Sequence, residues 1–243
     1  MSFVDASPPY TTHVNTTYAS AWSGGAPVTY ITTDGLVFVY SPTTRMGEIE
    51  RIERKGAYSG TKLLEFVDTL ARKFRLTAVR LVDAAHIESK CLGLPVPPVG
   101  DNDPPQLSLT WFRAMCTGQG WYELHGYVAE DPEEHAAYRR YVDRMRAKSL
   151  RGMMFAVLRA ESSDDRWQNH VRERFVQYAA ELLRESPMAT FSDFVIWMWR
   201  THCEYVAVFE DYLFSAETGR AQRDETLRSW RIKLPSHLIK RGV

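Results

Sequence analysis

A chain of 243 residues with 44% hydrophobic residues and 12% aromatics can bury a full core, as one large domain or as one domain with a substantial appendage. Lys plus Arg and Asp plus Glu both come to 30, so no net field draws the whole molecule toward nucleic acid or an anionic membrane. Cys91, Cys116 and Cys203 are widely spaced and include no Cys-x-x-Cys pair, which argues against a disulfide framework or a zinc site and for a reducing, cytoplasmic compartment.

Residues 1–25 are rich in Thr, Ser, Pro and Gly without any period, and read as a loosely ordered arm. The start has no basic stretch followed by an apolar run, so no signal peptide is expected. From Val28 to Tyr40, Asp34-Gly35 separates two β-branched and aromatic runs and predicts a hairpin. Met46 to Glu53 reads as a third strand, although Ile49 and Ile52 fit a helical turn as well as a bulged strand.

Lys55 to Leu64 follows, with Gly56, Ser59 and Gly60 where a strand turns into a helix. Backbone amides without intrahelical partners and the helix dipole make such a corner suit a phosphate, and Lys55 and Lys62 add charge. The same glycines also serve an ordinary turn. Leu63, Val67, Leu70 and Phe74, with Leu64 and Ala71, recur at steps of three and four and predict a helix with one face on a sheet. Thr77 to Asp83 reads as a short buried strand with Ala78, Val79, Leu81 and Val82 apolar, which implies a mixed sheet with a right-handed crossover.

Pro95, Pro97, Pro98, Pro104 and Pro105 make the segment from Cys91 to Pro105 an irregular connection. Leu107 to Cys116 is read as a helix ended by Thr117-Gly118-Gln119-Gly120, with Trp121 to Val128 after it. The rest is helical by pattern. Asp131-Pro132 gives a capped start before Tyr138, Tyr141, Val142 and Met145, and Trp167, Val171, Phe175, Tyr178 and Leu182 form a second stripe. Thr190-x-x-Asp193 resembles a capping box ahead of Phe191, Phe194, Val195, Met198, Val206 and Phe209. Asp193, Arg200, Glu204, Glu210 and Asp211 interrupt Phe191 to Phe214, so it is no membrane span.

Two motifs in order carry a family resemblance over roughly residues 28 to 130: Gly60-Thr-Lys-Leu-Leu64 after a strand, then Trp121-Tyr-Glu-Leu-His-Gly-Tyr127. On them the chain resembles the GNAT superfamily of N-acetyltransferases, especially its divergent members encoded by large DNA viruses. Lys55 stands at the first position of that family's pyrophosphate turn, Tyr58 where its first glycine belongs, and Tyr127 where a Phe is usual. The resemblance implies an α/β (α+β) fold with a mixed, mostly antiparallel sheet flanked by helices. The expected organisation is an arm over 1–25, an acyl-CoA-binding domain over 26–130 and an all-helical extension over 131–243.

The implied reaction is acyl transfer from acetyl-CoA or another acyl-CoA to an amine, with the cofactor between splayed strands beside the glycine-turn helix. Its pyrophosphate would rest on Lys55, Gly56, Tyr58, Ser59, Gly60 and Thr61. Tyr122 matches the family's frequent acid, and packing of Tyr122 and Trp121 on the sheet is the other reading. Glu48, Glu50 and Asp83, the last beside His86, are candidates for the base, against solvated glutamates and a strand-end cap. His125, three residues from Tyr122, could face the same pocket from a helical segment or simply lie at the surface.

His202-Cys203 has no second ligand pair, so no metal is expected. Arg139, Arg140, Arg144, Arg146, Lys148 and Arg151, with Lys233, Lys240 and Arg241, read as a solvated face rather than a nucleic-acid site, because acidic residues interrupt the cluster and no motif accompanies it. The aromatic helices could offer a surface to a protein partner. The alternative function is a catalytically inactive relative serving as an interaction module in host cytoplasm or a virion.

Overall fold

The computed structural model describes residues 10–15, 23–53, 59–82, 86–88, 106–160, 166–214, 230, 234–235 and 237–243. In chain order the elements are β1 (Thr11–Asn15), β2 (Val28–Thr33), β3 (Leu36–Ser41), β4 (Met46–Ile52), α1 (Gly60–Lys73), β5 (Ala78–Leu81), β6 (His86–Glu88), β7 (Gln106–Ser108), α2 (Leu109–Thr117), β8 (Val128–Ala129), α3 (Pro132–Arg146), α4 (Leu150–Arg159), α5 (Arg166–Glu185), α6 (Phe191–Thr201), α7 (Cys203–Phe209) and β9 (Leu238–Arg241).

The fold is mixed α/β, and the chain divides into two compact units. One comprises Met1–Ala85, Tyr122–Pro132 and Pro235–Val243; the other comprises His86–Trp121 and Glu133–Leu234. These divisions depart from the expected 26–130 and 131–243, and the loosely ordered arm expected over 1–25 contains β1, whose Thr11–Asn15 pair with β2. Pro235–Val243 belongs with the sheet because β9 pairs with both β5 and β8, and His86–Trp121 belongs with the helices.

The first unit is a seven-stranded sheet in the order β1-β2-β3-β4-β5-β9-β8. All neighbours are antiparallel except β4 and β5. Asp34 and Gly35 close the β2–β3 hairpin; Gly35 has φ +90°, a conformation that glycine adopts without strain. A parallel pair cannot be joined by a tight turn, so α1 supplies the crossover between β4 and β5. Ser59 caps α1, its Oγ accepting from the Lys62 amide at 3.3 Å.

Leu63, Leu64, Phe66, Val67, Leu70 and Ala71 form the buried stripe of α1, each larger apolar side chain worth about 1.5–3 kcal/mol against exposure. Phe74, at the end of α1, stacks on Tyr40 at 4.3 Å. Register fixes the faces. Gly47 meets the Phe38 ring, so Gly47 and Ile49 share a side with Phe38, and Glu48 points to the other.

The second unit is helical, with the short antiparallel pair β6–β7. The helix expected from Leu107 starts instead at Leu109, because Ser108 takes the cap and its Oγ accepts from the Trp111 amide at 3.2 Å. Helix α2 ends at Gly118, whose φ is +86°. Its last carbonyls are taken by α3: Arg139 donates to the Gly118 carbonyl, and Arg146 donates to those of Met115 and Cys116. Two members of the cluster read as a solvated basic face are therefore helix-terminating donors.

Phe175 lies edge-on to Phe194 and Phe209 at 5.2 and 5.5 Å, and Trp111 packs against Phe191 and Phe214. The capping box at Thr190 and Asp193 forms in full. The apolar stretch after it is two helices, broken at His202, whose ring stacks on Tyr178 at 4.2 Å. Among the described residues no helix is long and apolar enough to cross a membrane.

A methyl group at Gly47 would lie 2.7 Å from the Phe38 ring and 3.0 Å from Leu76. Gly47→Ala is expected to destabilise the sheet unit by about 1–3 kcal/mol, read as a lower urea midpoint at unchanged slope.

Candidate functional site

The parallel pairing of β4 and β5 runs from Met46–Ala78 to Ile49–Leu81, while β4 itself continues to Ile52. Glu50 sits at the point of departure. On the other side of β4 the register steps from Phe38–Ile49 to Val37–Arg51, so Glu50 is an extra residue, a β-bulge. A bulge bends its strand and re-aims the side chains beside it. The N-terminus of α1 follows β4 in sequence. There Ser59 Oγ holds the Lys62 amide, the amides of Gly60 and Thr61 have no partner inside the helix, and no acidic residue occupies the first turn.

Glu48 and Arg80 are directly opposed across the parallel pair, so their side chains share the face away from α1. The Arg80 guanidinium, which sequence reasoning passed over, donates from Nη2 to Glu130 Oε2 at 2.5 Å. The Glu130 amide in turn donates to the His237 carbonyl at 3.0 Å, tying the end of β8 to the residue before β9. Arg80 was detectable as the lone charge in the apolar run from Ala78 to Val82. Glu130 and His237 carried no local signal, because the strand pairing that brings them together spans most of the chain.

Half-burial raises the pKa of Glu48 above the ordinary carboxylate value. Arg80 and His237 oppose that shift, while Glu50 and Glu130 add to it. Glu50, more exposed, is raised by desolvation too. Glu48 and Glu50 thus stand in one cluster of carboxylates with a single arginine.

Tyr122 is placed elsewhere, on the α1 side. It is 2% exposed, with Tyr127 edge-on to its ring at 6.1 Å. The Tyr127 ring lies 5.7 Å beneath Lys240 Nζ, and Lys240 is bonded to Asp68 Oδ2 on α1 at 2.7 Å. The Tyr122 carbonyl accepts from the amides of His125 and Tyr127, and Gly126 takes φ +84°, so the aromatic motif folds as a tight 3-10 turn. His125 lies in that turn, half-buried. Asp68 Oδ1 and the Tyr127 phenol oxygen are buried with no hydrogen-bond partner among the described residues, and burial, then Asp68, drives the Tyr127 phenol well above its usual pKa.

The structure therefore gathers Glu48 and Glu50 with Arg80, Glu130 and His237 and does not gather Tyr122 with them. Lys55, Gly56, Tyr58 and Asp83 lie outside the described residues. Among those described, no group of His, Cys, Asp and Glu could hold a metal ion. Comparison with family models, with curated proteins and with solved structures finds no match to this chain.

A carboxyl whose folded pKa is raised gives up its proton first in the unfolded chain, so above the unfolded value ionisation penalises the folded state. Glu48→Gln removes that penalty. The variant is expected to melt above the wild type at pH 7 and to lose this advantage near pH 3, where the carboxyl is protonated in both states. Calorimetric scans at the two pH values check it.

Proposed function

We propose that this protein is an acyl-CoA-dependent N-acyltransferase, with Glu48 as the base that keeps the acceptor amine neutral. The observation that carries the reading is a half-buried carboxylate of raised pKa on β4, beside the place where the parallel pairing of β4 with β5 ends. General bases work best when their pKa approaches the operating pH, and burial moves Glu48 that way.

The first-turn amides of Gly60 and Thr61 offer donors to a pyrophosphate, with no carboxylate in that turn to oppose it. Held there, acyl-CoA would supply the thioester that the acceptor amine attacks. Glu48 takes the proton lost by the attacking amine. Tyr122 is the acid that the family resemblance would assign to the departing thiolate, although its ring is packed on the α1 side of the sheet, apart from Glu48.

A second reading is an interaction protein that keeps this architecture without chemistry. It is favoured by the burial of Tyr122, a ring packed like core.

Millimolar acetyl-CoA is expected to raise the melting temperature, since a ligand of the native state must stabilise it. No shift with either acetyl-CoA or free CoA overturns the enzyme reading. With a reactive amine, Glu48→Gln is expected to lower kcat about 10²–10⁴-fold and Tyr122→Phe to lower it less. Undiminished transfer by Tyr122→Phe assigns that ring to the core.

A further inference from the structure

We infer that Glu130 is a positioning residue for Glu48: by holding the Arg80 guanidinium toward β8 and β9, it keeps that cation from closing on Glu48 and leaves the carboxylate free to accept a proton. The inference rests on the acyl-transfer reading only for its kinetic arm, because the arrangement exists whether or not a cofactor binds.

Three observations support it. Glu48 and Arg80 face each other across one register step of a parallel pair, where neighbouring strands lie about 4.8 Å apart. At that spacing an arginine would ordinarily pair with the carboxylate, yet among the described residues the ion pair that Arg80 makes is with Glu130. The Arg80 Nε is buried and without a hydrogen-bond partner among the described residues, so the guanidinium retains donor capacity beyond its bond to Glu130. An orphaned buried donor is costly and is kept only where something else holds the side chain in place.

Glu130 is held independently of Arg80 by its own backbone. Its amide donates to the His237 carbonyl, which fixes the backbone from which the carboxylate reaches Arg80. The charged groups around Glu48 are then Glu50 on its own strand, Arg80 on β5, Glu130 after β8 and His237 before β9. Two of them attract its negative charge and two repel it, so withdrawing the Glu130 hold shifts the balance in one sense only. Arg80 is released toward Glu48, and one repelling carboxylate is lost.

The test is a pH titration of the Glu48 side-chain carboxyl carbon by NMR in the full-length chain, with Glu130→Gln and Arg80→Gln as opposed variants and Glu48→Gln to assign the signal. Glu130→Gln is expected to lower the Glu48 midpoint. Arg80→Gln is expected to raise it, and Arg80→Lys to bring it back toward the wild-type value. In the kinetic arm, the acidic limb of the pH profile of acyl transfer moves in the same directions. Unmoved midpoints, or shifts of one sign in both variants, overturn the inference. Should one variant fail to fold, the sign of the other decides. Moved midpoints in a protein that shows no transfer and no binding of acetyl-CoA uphold the positioning role while refuting the acyltransferase reading.

Discussion

The parallel pairing of β4 with β5 is the constraint from which the sheet unit follows. Antiparallel strands close with a two-residue turn, as β2 and β3 do at Asp34-Gly35, but a parallel neighbour demands a crossover, and α1 is that crossover. The pairing sets Glu48 opposite Arg80 and sends the α1 N-terminus off from the end of β4. It stops at Ile49–Leu81, next to the bulge at Glu50, so the strand that carries the carboxylates leaves its partner just past them.

Charge is distributed unequally over the two faces of this sheet. On the α1 side, Lys240 closes on Asp68 and roofs Tyr127, an arrangement that fastens β9 to the helix. On the other side, Arg80 pairs with Glu130, and Glu48 is left outside the ion pair. Partly exposed pairs of this kind contribute little to stability, and a half-buried carboxylate of raised pKa detracts from it. Stability alone gives no reason to keep Glu48 there; the acyl-transfer reading proposed above would supply one.

What the sequence disclosed was local. The Asp34-Gly35 hairpin and the stripe of α1 could be read because turn chemistry and helical period lie within a few residues. The bulge was half legible: Ile49 and Ile52, three apart, fitted a bulged strand or a helical turn, and only pairing with β3 decides between them. Helix α4 is faint in the sequence, because its buried Leu150, Met153 and Val157 make a short stripe with Gly152 between them. Arg139 and Arg146 looked like solvated charge because a carbonyl acceptor on another helix leaves no trace in composition. No breaker residue announces the interruption at His202 between α6 and α7.

The largest divergence concerns β9. In the sequence Lys240 and Arg241 look only like solvated charge, yet the strand Leu238–Arg241 lies between β5 and β8 and gives Arg80 and Val79 their antiparallel neighbours, Ile239 and Lys240. Long connections cost little in closure entropy, since the penalty grows only with the logarithm of length, so a sheet can admit the helical unit between its strands. What such a topology forbids is separating sheet from helices by a cut near residue 131. A chain stopped there keeps β8 and loses the strand that joins it to β5, and β5, whose core residues Val79 and Leu81 are almost fully buried, becomes an open edge. The carboxylate cluster then loses its frame, because the pairing that places Glu130 over Arg80 runs through β9.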